Sequence, residues 1–442
     1  MTRTSLSQYV EQVVRMLSCG DVYAEAGESW SVEFDMDRLK SLETKEYAAL
    51  GIRVFERMSD GDYRVGQGFC NHEEDIETMV TSAKEQARWG ERIVFDLPGK
   101  STVPQLEILR DVSLEREKAI SWGEYLVREL KQIDKKNKVF VSVDVSDGEV
   151  WVANTAGFFE SYGERSFSLS CGFSHVDESG ELLYLGESEY RFDTDFAFKR
   201  YVDKMSRLFS WSQRKAKIPS GYYPVIFAPE AVETILDPLL IALNGSSRYK
   251  KICRWEGMEG TQVADSRLTL RDDPFCLEVG DVYPFDDEGI VPSPLALIDR
   301  GVLKNFIYDL ATAKRLGTKT TGHGRRSPSS LPQPEFSNLI VEPGDTPFEK
   351  MIQSIDRGLV VYSTLGGGMS NVVAGDFSVN VELGFLIEGG KVKGRVKDTM
   401  IRGNSFDLIQ NLLFLGSEQE VVHGMKVPAM AFERISVTGE EG

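Results

Sequence analysis

Histidine and cysteine are scarce in this chain of 442 residues, with four of the first and five of the second. His72, His175, His323 and His423 are scattered, so no two stand one helical turn apart as a zinc-peptidase helix requires. Cys19, Cys70, Cys171, Cys253 and Cys276 are odd in number and include no Cys-x-x-Cys pair. That excludes a cysteine-based zinc ribbon and fits reduced thiols in a cytoplasmic protein. No apolar run approaches the roughly 18 residues of a membrane span. The N-terminus carries no apolar signal core. The expectation is a cytoplasmic chain with no membrane partner. Basic residues are also short, 51 Lys and Arg against 69 Asp and Glu, for a net charge of −18. With no long Lys/Arg run, this balance excludes non-specific nucleic-acid binding. There is no P-loop and no Gly-x-Ser-x-Gly elbow.

What remains has globular proportions, 41% hydrophobic and 27% charged, at a length that calls for two or three domains. Ser5 and Gln8 fit a capping box, and Leu6, Val10, Val13, Val14 and Leu17 recur at helical spacing up to a stop at Gly20. Trp30, Val32, Phe34 and Met36 alternate as a strand. Ile52 to Phe55 begins another, closed by a turn at Asp60-Gly61, and Val65 to Phe69 a third. A helix with Ile76, Met79, Val80, Ala83 and Ala87 on its buried stripe follows. After a linker over about 90–111, the order repeats. Ile120 to Ile133 is helical, Val139 to Val145 alternates up to a turn at Asp147-Gly148, and Phe167 to Phe173 and Leu183 to Phe192 are strands. A helix over about 195–209 ends the second copy. Short turns between consecutive strands argue for α+β rather than parallel α/β. The fold class expected is therefore α+β, with a duplicated helix–antiparallel-sheet–helix region over 1–218 (halves at about 1–90 and 112–210). A β-rich C-terminal domain over 219–442 follows. That domain opens with a strand at Tyr223 to Ala228 and an apolar helix from Pro229 to Leu243 that contains Pro238. Helices are also expected over 306–316 and 406–415.

Candidate chemistry is sparse. Asp286-Asp287-Glu288-Gly289, with Asp272-Asp273 before it, is the densest acidic cluster. Carboxylates so placed can hold a divalent cation, but calcium-loop spacing is absent, and a solvated turn with Asx-type hydrogen bonds is the simpler reading. His323 lies in a loop with Arg325 and Arg326 that could clamp a carboxylate or peptide terminus; the alternative is a surface loop of solvated charges. Gly366-Gly367-Gly368, ahead of Asn371, lacks the Gly-Lys-Ser/Thr of a phosphate loop, so a tight turn or close approach to a peptide backbone is preferred. His72-Glu73 lacks a second histidine and reads as a helix N-terminus.

Several segments in order resemble the TldD/PmbA family, also called the modulators of DNA gyrase. They include Leu50-Gly51-Ile52-Arg53-Val54, Asn154-Thr155-Ala156-Gly157, Asp272-Asp273-Pro274, Pro284-Phe285-Asp286-Asp287-Glu288-Gly289, Gly375-Asp376-Phe377-Ser378, Gly384 to Gly390 and Lys397-Asp398-Thr399-Met400-Ile401. The resemblance implies proteolysis of unfolded peptides. Members of the TldD branch carry His-Glu-x-x-x-His on the helix after the strand that is here Tyr223 to Ala228. This chain has Pro229 to Leu243 there, with no histidine, and Glu233 alone cannot activate water without a metal. The resemblance is thus to the PmbA/TldE branch. It implies a subunit without catalytic residues or metal of its own. Zinc is expected only in a TldD-like catalytic partner, and the assembly is a heterodimer with that partner or a homodimer. Substrate-binding candidates are Asp286, Asp287, Glu288, His323, Gly367, Asn371 and Asp376. Two other classes stay open: a self-sufficient hydrolase with a divergent site using Asp286, Asp287, Glu288 and Asp376, and a peptide-binding scaffold using strand edges.

Overall fold

Alternation and helical spacing sort the first half of the chain into two copies of one pattern. In the computed structural model, which describes residues 5–94, 96–104, 106, 112–366 and 371–440, both copies join one seven-stranded sheet. The first contributes α1 (Leu6–Met16), β1 (Gly20–Asp35), β2 (Arg38–Arg57), β3 (Tyr63–Cys70), α2 (Ile76–Ala87) and the short β4 (Arg92–Ile93). The second contributes α3 (Arg116–Ile133), β5 (Lys138–Asn154), β6 (Phe159–Val176), β7 (Leu182–Arg191) and α4 (Phe198–Ser212). The sheet order is β4-β3-β2-β1-β5-β6-β7, so the lead strands β1 and β5 meet at the centre, antiparallel, with Val22 opposite Ala153 and Val32 opposite Val143. Helices cover one face. Val10, Val13, Met79 and Ala83 pack on Val22, Ala24 and Ile52, while Leu126, Leu130 and Met205 pack on Val139, Val141 and Phe167.

Several local expectations give way to this pairing. Ser5 stands at the N-cap of α1, but its side chain makes no capping hydrogen bond. Gly20 opens β1 rather than closing α1. β1 begins ten residues before Trp30, in a stretch of small and acidic residues with little intrinsic strand preference, because β2 and β5 pair with it on both edges. Asp147-Gly148 is not a turn: β5 runs through it to Asn154 between β1 and β6. A Cβ on Gly148 would come 2.9 Å from the Tyr47 hydroxyl, so glycine here serves close approach. The linker near 90–111 includes β4, and part of it lies outside the described residues.

A second, twelve-stranded sheet is drawn from residues 215–438. Its central strand, Gly221–Phe227, lies parallel to Arg357–Leu365 and antiparallel to Met425–Thr438. The expected helix over 229–243 is split into a single turn, Pro229–Ala231, and α5 (Glu233–Leu243), with Pro238 inside the helix. The helix expected over 306–316 is confined to Leu310–Leu316, and that over 406–415 to Ser405–Leu408. In the latter, Phe406, Ile409 and Leu412 still share one buried cluster, so an i, i+3 spacing is satisfied by a turn rather than a helix. The two sheets are fused through apolar contacts: Val139, Phe167 and Met205 belong to the same cluster as Ile226, Ala228 and Phe385. All five cysteines are unbridged. Among the described residues no helix is long and apolar enough to cross a membrane.

Candidate functional site

The acidic cluster singled out in the sequence is buried where the two sheets meet. Asp286, Asp287 and Glu288 are at most 3% exposed, and His323 is fully buried. The solvated-turn and surface-loop readings of these two segments are therefore wrong. Asp286 does make Asx-type bonds, accepting from the backbone N–H groups of Glu288 and Ile290, but also from Gly324 at 2.9 Å. Asp287 accepts from the Arg326 N–H at 2.7 Å. Glu288 reaches across to the first sheet and takes Arg53 Nη2 at 3.1 Å, while Arg53 also grips Asp21 of β1. Arg326 donates to Asp21 at 3.0 Å, and His323 Nε2 faces Asp272 Oδ1 at 3.0 Å. Five carboxylates (Asp21, Asp286, Asp287, Glu288, Asp309) thus crowd three guanidiniums (Arg53, Arg325, Arg326). Burial pushes Asp286, Asp287 and Glu288 up, the last to about 7, as expected for surplus negative charge in low dielectric. Asp21 goes the other way: burial would raise it, but Arg326 and Arg53 together hold it below its ordinary value. In this conformation these residues tie the two halves of the chain together and offer nothing to a solvent-borne ligand.

The open concavity lies elsewhere, over α5. Glu230, Glu233 and Asp237 recur at spacings of three and four and share one face of that turn and helix. They form one wall of a cleft of about 550 Å³; Asp376 and Glu382 of the strand Asp376–Glu388 form the other, above a floor that includes Phe377 and Val379. His423 closes one end. It sits at the tip of the hairpin between Phe414–Val422 and Met425–Thr438, at φ 49° with Gly424 at 74°, the double left-handed geometry of a two-residue hairpin turn. That turn presents the imidazole to α5, and Nδ1 lies 2.9 Å from the Glu233 carboxylate. The hydrogen bond to Glu233 raises His423 above the usual imidazole value, against the opposing pull of burial. The same bond lowers Glu233. Asp237, one turn further on, is pushed up to about 6 by burial and by the neighbouring Glu233.

Of the residues proposed from sequence, Asp376 lines this cleft, bonded at 2.9 Å by Asn404 Nδ2. Asn371 caps the short turn Val372–Ala374, whose first residue also lines the cleft. Asp286, Asp287, Glu288 and His323 belong to the buried junction instead. Gly367 lies outside the described residues. The acidic stripe Glu230/Glu233/Asp237 was visible as a spacing, but its partner His423 is 190 positions from Glu233, and no local signal joins them.

Beside the cleft, Lys204 of α4 is enclosed by three carboxylates. Its Nζ lies 3.1 Å from Glu187 and 2.7 Å from Glu420, and it also contacts Glu230. Burial pushes Glu187 up to about 7 in spite of Lys204. Those three glutamates are the one group among the described residues whose donor atoms converge as metal ligands would. All three are carboxylates with no imidazole among them, whereas a zinc peptidase site pairs a carboxylate with two histidines, and the lysine ammonium already lies against all three. On α5 the single imidazole is committed to Glu233. Among the described residues, neither of these two groups offers the pair of imidazoles that a zinc peptidase helix supplies.

The fold and cleft define a two-sheet α+β protein with an acidic groove over a central helix. Two models of one family match the sequence: PmbA/TldA metallopeptidase domain 1 over residues 20–87 and the PmbA/TldA metallopeptidase C-terminal domain over residues 220–439. The chain belongs to the PmbA/TldD family. It is similar to the metalloprotease TldD homolog of Buchnera aphidicola, at 24% identity over 97% of this chain and 94% of that one. The metalloprotease PmbA homolog of Haemophilus influenzae is 22% identical over 99% and 96%. In fold it resembles TldE from Thermococcus kodakarensis, with a TM-score of 0.88 at 23% identity, covering 98% of this chain and all of the other.

Proposed function

We propose that this chain is a PmbA/TldE-like subunit that holds an unfolded peptide in the α5 cleft and works beside a zinc-bearing TldD-like chain, with no metal of its own. The observation that carries the reading is the wall of α5: Glu233, Thr234 and Asp237 face the cleft, and the one imidazole at hand is bound to Glu233. Carboxylates above an apolar floor suit an extended peptide with basic residues, whose alkyl stems can lie on Phe377 and Val379. Relatives named as metalloproteases supply the link to peptide hydrolysis.

The test is calorimetry of the pure chain with an unstructured basic peptide, with and without chelator, alongside elemental analysis. Binding that survives chelation and weakens in the Glu233→Gln/Asp237→Asn double variant is expected. Stoichiometric zinc whose removal abolishes peptide hydrolysis by this chain alone would overturn the proposal. A second reading has one observation in its favour: Asp237, near 6, beside the Glu233–His423 pair is an acid–base set poised near neutrality. That reading requires chelator-resistant hydrolysis by the pure chain that disappears in His423→Ala.

A further inference from the structure

Among the described residues that line the α5 cleft, His423 alone can carry a positive charge, against carboxylates that include Glu233, Asp237, Asp376 and Glu382. A cleft suited to basic peptide residues thus already holds one cation of its own, and that cation is bonded to Glu233. Both side chains are open to solvent, His423 at 55% and Glu233 at 47%, so the pair is one that a ligand can break. The tip that carries the imidazole stands clear of the neighbouring chain: a Cβ on Gly424 would meet nothing within 4 Å. The first position of such a two-residue turn ordinarily takes Asn, Asp or Gly, and here it presents a titratable ring instead.

The charges around that ring all favour its protonated form. Glu233 and Asp237 face it from α5, and Glu230 from the turn before. Glu230 and Glu420, the latter on the strand leading into the tip, are both held by Lys204 of α4. Lys426, on the returning strand, is paired with Glu278. Asp376 and Glu382 stand on the opposite wall. The bond to Glu233 lifts the imidazole above 6.5, so the ring is charged below that raised value and neutral above it. Charged, it neutralises Glu233 and donates a charge-assisted hydrogen bond. Neutral, it leaves the carboxylate its full charge and holds it by a bond roughly half as strong.

We infer that His423 is a tethered, pH-released occupant of a cation subsite at Glu233: as imidazolium it holds the place that a lysine or arginine side chain of a bound peptide takes, and its deprotonation frees that place. This role rests on the peptide reading of the cleft and adds to it a competitor built into the chain.

The probe is an unstructured lysine-rich peptide, titrated by calorimetry at pH 6.5 and 8.5 into the full-length parent, His423→Ala, Glu233→Gln and the double variant. The parent should bind more tightly at pH 8.5. His423→Ala should bind roughly two- to five-fold more tightly than the parent at pH 6.5, the range set by one exposed ion pair, and equally at pH 8.5. Asp237 titrates in both chains, so the ratio between them isolates the imidazole. Glu233→Gln should weaken binding more at pH 8.5 than at pH 6.5. In that background His423→Ala should change affinity by less than about two-fold, because the pair is already gone. In NMR spectra of the parent, the His423 imidazole should titrate at lower pH with the peptide bound than without it. An absence of binding by all four chains at both pH values would remove the peptide cleft and this role together. Binding with the same pH dependence in parent and His423→Ala, a gain from His423→Ala that persists in Glu233→Gln, or an imidazole titration unmoved by the peptide would each overturn the role of His423 and leave the cleft standing.

Discussion

Replacing Lys204 by methionine keeps the alkyl stem and removes the one cation that three carboxylates share. Lys204 and Glu187 come from the first half of the chain, and Glu230 and Glu420 from the second, so the cluster is also a clamp between halves. At an effective dielectric constant near 20, each contact at about 3 Å is worth roughly 5 kcal/mol of gross attraction, opposed by the desolvation of all four groups. Breaking such a buried set from one side costs about 3–5 kcal/mol. The pH dependence carries the sign. Glu187 is raised from 4.5 to about 7 in the folded state, so the folded chain binds a proton there more readily than the unfolded chain. The strain of its charge is absent below about 4.5 and complete above about 7. Without Lys204 the carboxylates repel unscreened and take up protons still more readily, so the deficit of Lys204→Met is largest at pH 8 and shrinks as the pH falls toward 5. Urea denaturation monitored by tryptophan fluorescence at pH 5, 6.5 and 8 measures it. A variant within about 1 kcal/mol of the parent at pH 8, or a deficit that grows on acidification, would refute the reasoning.

Three further outcomes follow from other parts of the molecule. Glu288→Gln removes a buried group raised from 4.5 to about 7, so the stability of this variant relative to the parent should rise by up to about 3 kcal/mol between pH 5 and 8, read from parallel denaturant titrations. The imidazole of His423 should titrate above the usual value of 6.5 in NMR spectra and fall back in Glu233→Gln, because that carboxylate is the main cause of the shift. Gly51→Ala should lower stability by about 2–3 kcal/mol or more in thermal melts, since a Cβ there would lie 1.9 Å from the Pro328 carbonyl oxygen, a backbone atom that cannot swing aside.

The alternation of Val139, Val141, Val143 and Val145, and of Phe167, Leu169, Cys171 and Phe173, was enough by itself to establish strands with one apolar face. The helical stripe of Met79, Val80 and Ala83 did the same for α2, because apolar periodicity is a local consequence of which face meets the core. The order of glycine- and acid-rich segments pointed to the family, and the lack of histidine on α5 was plain in the sequence. Tertiary structure decided the rest. Asp286, Asp287 and Glu288 look like any solvated acidic turn until the fold buries all three and brings Arg53, 235 residues from Glu288, into a bond with that glutamate. Asp147-Gly148 looks like a turn until β1 and β6 flank it. A hairpin tip carries His423 across to close one end of the cleft on Glu233, and Lys204 of α4 meets Glu187 of the adjoining β7 together with Glu230 and with Glu420, 216 positions away. Ionisable side chains are placed by long-range packing, so even where a spacing such as Glu230/Glu233/Asp237 is visible, their burial and partners cannot be read from their neighbours in the chain.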